Sequence, residues 1–363
     1  MDALPVAPAY PATWEDTSCR WVGEIAFRVA ARTGQHGPMT SSHPPAAALD
    51  WAAEAVGSPG PAHVVRRLAG GTHAATHLLG TGLPLSGPSQ VVMRCFPPGD
   101  GAAAAEARVL DALRGLDGWA PRLVAVDPDG LRCGGPAVLI TLLPGRADIQ
   151  PARPDRAAAA LGRALALVHG VPGERLAGLR DGMAAASRAA GGAGGGPAGP
   201  VVSAHRHRLA RQPTVLTHYD FWSGNVLWRE GEPTGIVDWS GASRAPRGFD
   251  VGWCRLDLVL LHGPATAEAF LDAYQEAAGE EVPDMALWDL FALANSHRSV
   301  ETWLPNYHDL GRTDLTAEDL RERHTGWTAR CLARHRRQEP PRTAPERSGR
   351  RSGTEKPQPP AAP

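Results

Sequence analysis

Four polar side chains stand in order between Leu216 and Trp253: His218, Asp220, Asn225 and Asp238, in LTHYDFWSGNVLW and, after a polar turn, GIVDWSGASRAPRGFDVGW. Apolar, strand-like runs at 226–228 and 235–237 flank the turn Arg229-Glu230-Gly231-Glu232-Pro233, the pattern of a β-hairpin. Closing that hairpin brings its two ends together, and with them Asp220, Asn225 and Asp238. Two Asp carboxylates and one Asn carbonyl are hard oxygen donors, a set that suits Mg²⁺. An Asp left off the metal can take a proton from a substrate hydroxyl. The alternative is turn chemistry alone, since Asp and Asn are common turn formers.

His218-x-Asp220-x4-Asn225, with Asp238 thirteen residues after Asn225, resembles the aminoglycoside phosphotransferase and choline kinase-like family over roughly residues 60 to 330. The resemblance implies a protein kinase-like α+β fold of two lobes: a small antiparallel β-sheet N-lobe and a larger, mainly helical C-lobe. It implies transfer of the γ-phosphate of ATP, or of GTP, to a hydroxyl of a small-molecule acceptor. By position in the kinase template, Asp220 is then the base, and Asn225 and Asp238 are the Mg²⁺ ligands. Asp250, in Pro246-x-Gly248-x-Asp250, matches a carboxylate that braces the catalytic loop from inside the helical lobe. Tyr219 departs from the pattern, because the family usually has Gly there, and it puts a bulky side chain beside Asp220. The same fold binding nucleotide without transfer, and an interaction protein acting through its Pro-rich ends, are the other two readings.

The elements that must position these groups follow from the rest of the chain. Extended runs at 63–68, 76–79 and 91–96, with Gly70-Gly71-Thr72 between the first two, suit a glycine-rich turn whose N–H groups face phosphate oxygens. A plain turn would look the same. Arg94 ends Val91-Val92-Met93-Arg94, where the template carries a phosphate-gripping Lys. Arginine keeps its charge and can fork onto phosphate. Glu106, on a helix expected over 100–116, takes the place of the glutamate that orients that cation. Strands are expected at 121–127 and 136–143. By resemblance, the Thr141 carbonyl and the Leu143 N–H contact adenine, and Ile140 walls the base.

From 155 onward the periodicity is helical: 156–171, 265–278, 283–303 and 315–335. His169, closing the first of these, reads as a packing or capping residue. The Ala/Gly-rich segment 182–200 reads as a flexible linker. Glu301, Asp309 and Asp314 could meet a cationic acceptor, with Trp303 and Tyr307 stacking on it; a solvated helix end is the other reading. The expected division is a flexible extension at 1–44 (a short amphipathic helix at 22–31 included), an N-lobe at 45–144, a C-lobe at 145–335 and a disordered tail at 336–363.

A net charge of −1 over 363 residues offers nothing to nucleic acid or an anionic membrane. No apolar run approaches the ~20 residues of a membrane span; 256–261 is short and contains Asp257. The first residues carry Asp2 and early prolines and lack a secretory pattern. Five scattered cysteines without a C-x-x-C pair fit a reducing cytoplasm. No obligatory protein partner is expected.

Overall fold

The computed structural model describes residues 43–68, 74–82, 89–116, 118–189 and 195–338. Five strands, β1 (His63–Leu68), β2 (Ala75–Gly80), β3 (Gln90–Cys95), β4 (Leu123–Asp127) and β5 (Ala137–Thr141), make an antiparallel sheet in the order β1-β2-β3-β5-β4. The two-residue period of a strand sorts their side chains into two cores. Val91 and Met93 of β3 join Leu79 and Leu139 under helix α1 (Ala46–Val56), whose Trp51, Ala52 and Val56 cover that face. Val92, Val138 and Ile140 face the other way and join Val109 and Leu110 of α2 (Ala102–Ala112). Arg94 shares the parity of Val92, so the strand delivers its guanidinium to the α2 side.

The larger lobe is built from α3 (Pro154–His169), α4 (Gly182–Ala189), α5 (Gly199–Ala210), α6 (Gly248–His262), α7 (Pro264–Ala278), α8 (Met285–Ser296), α9 (Leu304–Asp309) and α10 (Ala317–Gln338). Two small antiparallel units lie among them. One is β6 (Arg146–Ala147) with β8 (Val226–Arg229) and β9 (Glu232–Ile236); the other is β7 (Thr214–Thr217) with β10 (Ser243–Pro246). Gly162 lets α3 and α7 touch backbone to backbone, since a Cβ there would stand 2.5 Å from the Phe270 carbonyl oxygen.

Helix α6 is the axle of this lobe: every residue from Gly248 to Leu261 is buried. A charge in such a place needs a complete set of partners. Arg255 has one. Asp289 takes its Nε and Nη2 at 2.9 and 3.1 Å, and the Ala267 carbonyl and Glu268 take the rest, tying α6 to α7 and α8.

Two sequence expectations change. Residues 283–303 do not form one helix: α8 ends at Ser296, and a separate 3-10 turn at Val300–Trp303 leads into α9. Ser296 Oγ donates back to the Ala292 carbonyl at 2.9 Å, a bond that competes with helix continuation. Pro305, early in α9, could not follow a helical Glu301 without a clash. The expected linker at 182–200 is helical at Gly182–Ala189 and again from Gly199. Asp181 Oδ1 starts the first of these helices by accepting the Ala184 N–H at 3.0 Å, as an N-cap does. Gly195 N–H donates to the Ala294 carbonyl at 2.8 Å. The tail expected at 336–363 is helical in its first three residues, since α10 runs on to Gln338, and the rest of it, with Gly70, Gly71, Thr72 and the helix expected at 22–31, lies outside the described residues. Among the described residues no helix is long and apolar enough to cross a membrane.

Candidate active site

The loop after β7 is held from below by one carboxylate. Asp250, in the first turn of α6 and wholly buried, accepts the N–H of His218 at 2.6 Å and of Tyr219 at 2.9 Å. His169 Nε2 lies 3.3 Å from the same carboxylate, and its Nδ1 lies 2.7 Å from the Tyr274 hydroxyl. Burial lowers the His169 pKa. The ring is therefore neutral, donating from Nε2 to Asp250 and accepting the Tyr274 O–H at Nδ1. The packing histidine of the sequence is thus one link in a hydrogen-bonded chain that ends on the loop.

Tyr219 sits at φ 75°, in the left-handed region that glycine adopts without strain. Its ring is spoken for. Phe249 stacks on it at 4.8 Å between centroids, and the Arg180 guanidinium lies 4.3 Å from its centre. The departure from glycine therefore places a packed aromatic beside Asp220.

Asp220 follows, and a 3-10 turn at Ser223–Asn225 closes the loop. Asn225 Nδ2 donates to the Asp220 carbonyl at 2.9 Å and to its Oδ2 at 3.3 Å. With the amide nitrogen committed, Asn225 Oδ1 is the atom left to act as a ligand. The turn has its own anchor, Asp257 of α6, which accepts Ser223 Oγ at 2.8 Å, Ser223 N–H at 3.2 Å and the Tyr307 hydroxyl at 3.0 Å. Burial pushes the Asp257 carboxyl up to about 6, while those donors pull it down.

The hairpin closes as its sequence pattern requires. Val237 N–H donates to the Asn225 carbonyl at 2.9 Å, and His218 Nε2–H donates to the Val237 carbonyl at 2.9 Å. Burial lowers the His218 pKa, so this ring too is neutral. Asp238 comes next, at φ 62° and about one-third exposed, with its Oδ1 accepting Ser240 Oγ at 2.8 Å. From the sheet, Arg94 Nη1 bonds Glu106 Oε1 at 2.6 Å while its Nη2 stands 3.9 Å from Asp238 Oδ1. Burial works against the Arg94 charge, but Glu106 and Asp238 hold its pKa above the ordinary value, so it stays a cation.

Asp220 is half-buried, with Oδ1 enclosed and lacking a well-formed hydrogen bond. Burial first, and then the Asp238 charge, push its carboxyl up to about 8; the Asn225 and Trp253 side chains pull the other way. An enclosed carboxylate that resists ionisation beside a second carboxylate is an arrangement a cation would relieve. Asn225 Oδ1 and the Asp238 carboxylate are hard oxygen donors of the kind Mg²⁺ takes. Among the described residues no group of three or more His, Cys, Asp or Glu could hold a metal. A Mg²⁺ at this pair would therefore complete its shell with water and phosphate oxygens, its usual habit.

The remaining candidates are placed as follows. Thr141 ends β5, with its N–H on the Arg122 carbonyl at 3.0 Å and its Oγ1 accepting the Arg122 N–H at 2.9 Å. Leu143 is buried against Gly235 of the hairpin, where an added Cβ would come within 2.7 Å of it. Two of the three C-terminal acids have arginine partners. Glu301 is forked by Arg321 at 2.5 and 2.6 Å, and Asp314 by Arg312 at 2.8 and 2.9 Å. Trp303 is buried against Trp253, and Tyr307 is spent on Asp257. Sequence reasoning missed Asp257, Ser223, Tyr274 and Arg180. For Asp257 a signal existed, a lone acid inside the apolar run 256–261; for the others there was none.

A family model described as "Phosphotransferase enzyme family" matches residues 64–291, more than half of the chain. No curated protein matches the chain by sequence. Among solved structures, a Ralstonia eutropha protein whose name assigns it to the aminoglycoside phosphotransferases superposes with a TM-score of 0.56 at 19% identity, over 81% of this chain and 98% of that one. A macrolide 2'-phosphotransferase from Brachybacterium faecium gives 0.48 at 18% identity over 79% and 97%. A Plasmodium vivax ethanolamine kinase gives 0.47 at 11% over 76% and 83%. At these identities the first structure supports the fold alone, the kinase-like arrangement of a small antiparallel sheet and a helical lobe. The extent of the family match carries the conclusion: this chain belongs to the phosphotransferase enzyme family.

Proposed function

We propose that the chain transfers the γ-phosphoryl group of ATP to a hydroxyl of a small molecule. The observation that carries this reading is the meeting of two separately built halves. The Arg94–Glu106 pair from the sheet comes to within 3.9 Å of Asp238, whose loop is hydrogen-bonded to the one bearing Asp220 and Asn225. Asp220 takes the acceptor's proton. Arg94, aimed by Glu106, grips phosphate oxygens with a charge it keeps, at a reach and geometry that differ from lysine's. Asn225 and Asp238 would hold Mg²⁺, which when bound neutralises charge on the β- and γ-phosphates. A cation held there would bring the Asp220 carboxyl down from about 8, towards the ionised form that a base needs. Thr141 and Leu143 supply backbone contacts to the purine. The reaction uses ATP and so belongs in the cytoplasm. The acceptor is a small hydroxyl compound that need not be a polycation, because Glu301 and Asp314 already have arginine partners.

Thermal melting with ATP, GTP and ADP, each with and without Mg²⁺, tests the reading on the wild type and Asp238→Ala. A nucleotide at ~100 times its dissociation constant stabilises the fold by about 2.7 kcal/mol. The expected result is a Mg²⁺-dependent shift that Asp238→Ala abolishes. No shift with any nucleotide would sink the proposal.

A further inference from the structure

Arg180 belongs to none of the motifs above, yet it touches both loops that the chemistry needs. Its guanidinium lies 4.3 Å from the centre of the Tyr219 ring, one residue before Asp220. The same guanidinium donates through Nη2 to the carbonyl of Gly241, three residues after Asp238. The residue is delivered from a fixed base. Its own carbonyl accepts the Arg244 N–H at 2.8 Å, Asp181 bridges to Arg244 on β10, and Asp181 caps α4.

We propose that Arg180 is a positioning residue, clamping the loop that carries Asp220 to the loop that carries Asp238 through the Tyr219 ring and the Gly241 carbonyl. Its consequence for catalysis rests on the phosphotransferase reading. Tyrosine at φ 75° is strained where glycine would not be, so an aromatic ring there needs a use. Phe249 and Arg180 both approach the ring centre closely, and two groups that near cannot share one face. The ring is therefore sandwiched, and its outer face is the platform for the cation. Only arginine can lie flat on a ring and donate in its own plane at once; a lysine ammonium is a point charge without a plane. The clamp has a geometric target. Asp220 and Asn225 are locked to each other and to α6; Asp238 is tied to them on one side through Val237, and Arg180 adds a tie on its other side at Gly241.

The test is backbone hydrogen exchange by mass spectrometry on the full chain without nucleotide, together with ADP release from ATP and Mg²⁺ with water as acceptor. The variants are Arg180→Ala, Arg180→Lys, Tyr219→Gly and the double variant Arg180→Ala/Tyr219→Gly. In Arg180→Ala, exchange should speed up in peptides covering 215–225 and 236–244 by roughly two- to fivefold, the factor carried by one cation–π contact. Peptides from α7 should not change. Arg180→Lys should restore little. In the Tyr219→Gly background, Arg180→Ala should add almost nothing. ADP release should fall roughly ten- to a hundredfold, as small misplacements of reacting groups do, with the KM for ATP nearly unchanged. Unchanged exchange in either peptide, additive effects in the double variant, or a wild-type rate in Arg180→Ala would overturn the clamp. Faster exchange in both peptides, with no nucleotide-dependent thermal shift in the wild type, would keep the clamp and sink the phosphotransferase reading.

Discussion

Tyr307→Phe removes one hydroxyl and keeps the ring that packs beside Trp222 at 5.9 Å. What it takes from the fold is the 3.0 Å bond to Asp257 Oδ1; the two donors of Ser223 stay on Oδ2. The Asp257 carboxyl stands at about 6 in the folded chain, against about 3.9 when unfolded. A raised carboxyl makes the folded state the stronger proton binder between those values. Its contribution is thus fully present below about pH 4 and is lost as pH rises through 6, by about 3 kcal/mol in all. The Tyr307 hydroxyl limits that loss, because it favours the ionised form. Without it the folded carboxyl rises further. At pH 8 the variant should lose about 1.5–3 kcal/mol, the worth of a hydrogen bond to a charged group; at pH 5, with Asp257 protonated, it should lose about 1 kcal/mol. Urea unfolding of wild type and variant at the two pH values reads this directly. A deficit equal at both pH values, or larger at pH 5, would refute the assignment of Tyr307 as a donor to a titrating Asp257.

Asp250→Asn sets an amide NH₂ against a backbone N–H that now donates to a carboxylate oxygen. It should cost about 3 kcal/mol in urea unfolding, and a cost below about 1 kcal/mol would mean that the loop does not hang from this residue. Glu106→Gln leaves Arg94 without its carboxylate. Nucleotide affinity by calorimetry should weaken about tenfold, or 1.4 kcal/mol, and unaltered affinity would remove Arg94 from the phosphate site. Gly326 sits inside α10 with nothing within 4 Å of an added Cβ, so Gly326→Ala should stabilise by about 0.5–1 kcal/mol. Gly248→Ala, whose Cβ would come within 2.1 Å of the buried Trp288 ring, should destabilise by about 1–3 kcal/mol. Opposite signs in thermal melts are the expected outcome.

The hairpin was legible because its information is local: apolar runs of the right length, a polar turn, and chemistry-bearing residues at fixed offsets. The sheet was legible for the same reason, and the parity of Val92 and Arg94 already held which core each would face. Residues 182–189 were not legible as a helix, because Ala and Gly carry no apolar period and the start depends on one Asp181 oxygen. The break after Ser296 hid inside an apolar pattern that continues on both sides of it. Tyr219 could be seen to depart from glycine, but its left-handed backbone and its two ring partners come from residues 30 and 39 positions away. Asp257 stood in plain view as a charge in an apolar run, and its use depends on a turn 34 residues earlier.

Asp250 and Asp257 are seven residues apart on α6, two turns of one helix and about 10 Å along its axis. One grips the start of the Asp220 loop and the other its end. In engineering terms the loop is a bracket bolted at two points to a single rigid shaft. Wear elsewhere in the lobe moves shaft and bracket together, so the spacing of Asp220 and Asn225 is insulated from it. Tolerance stacks up instead across the joint to Asp238, which is where drift under heat or distant mutation should first be felt.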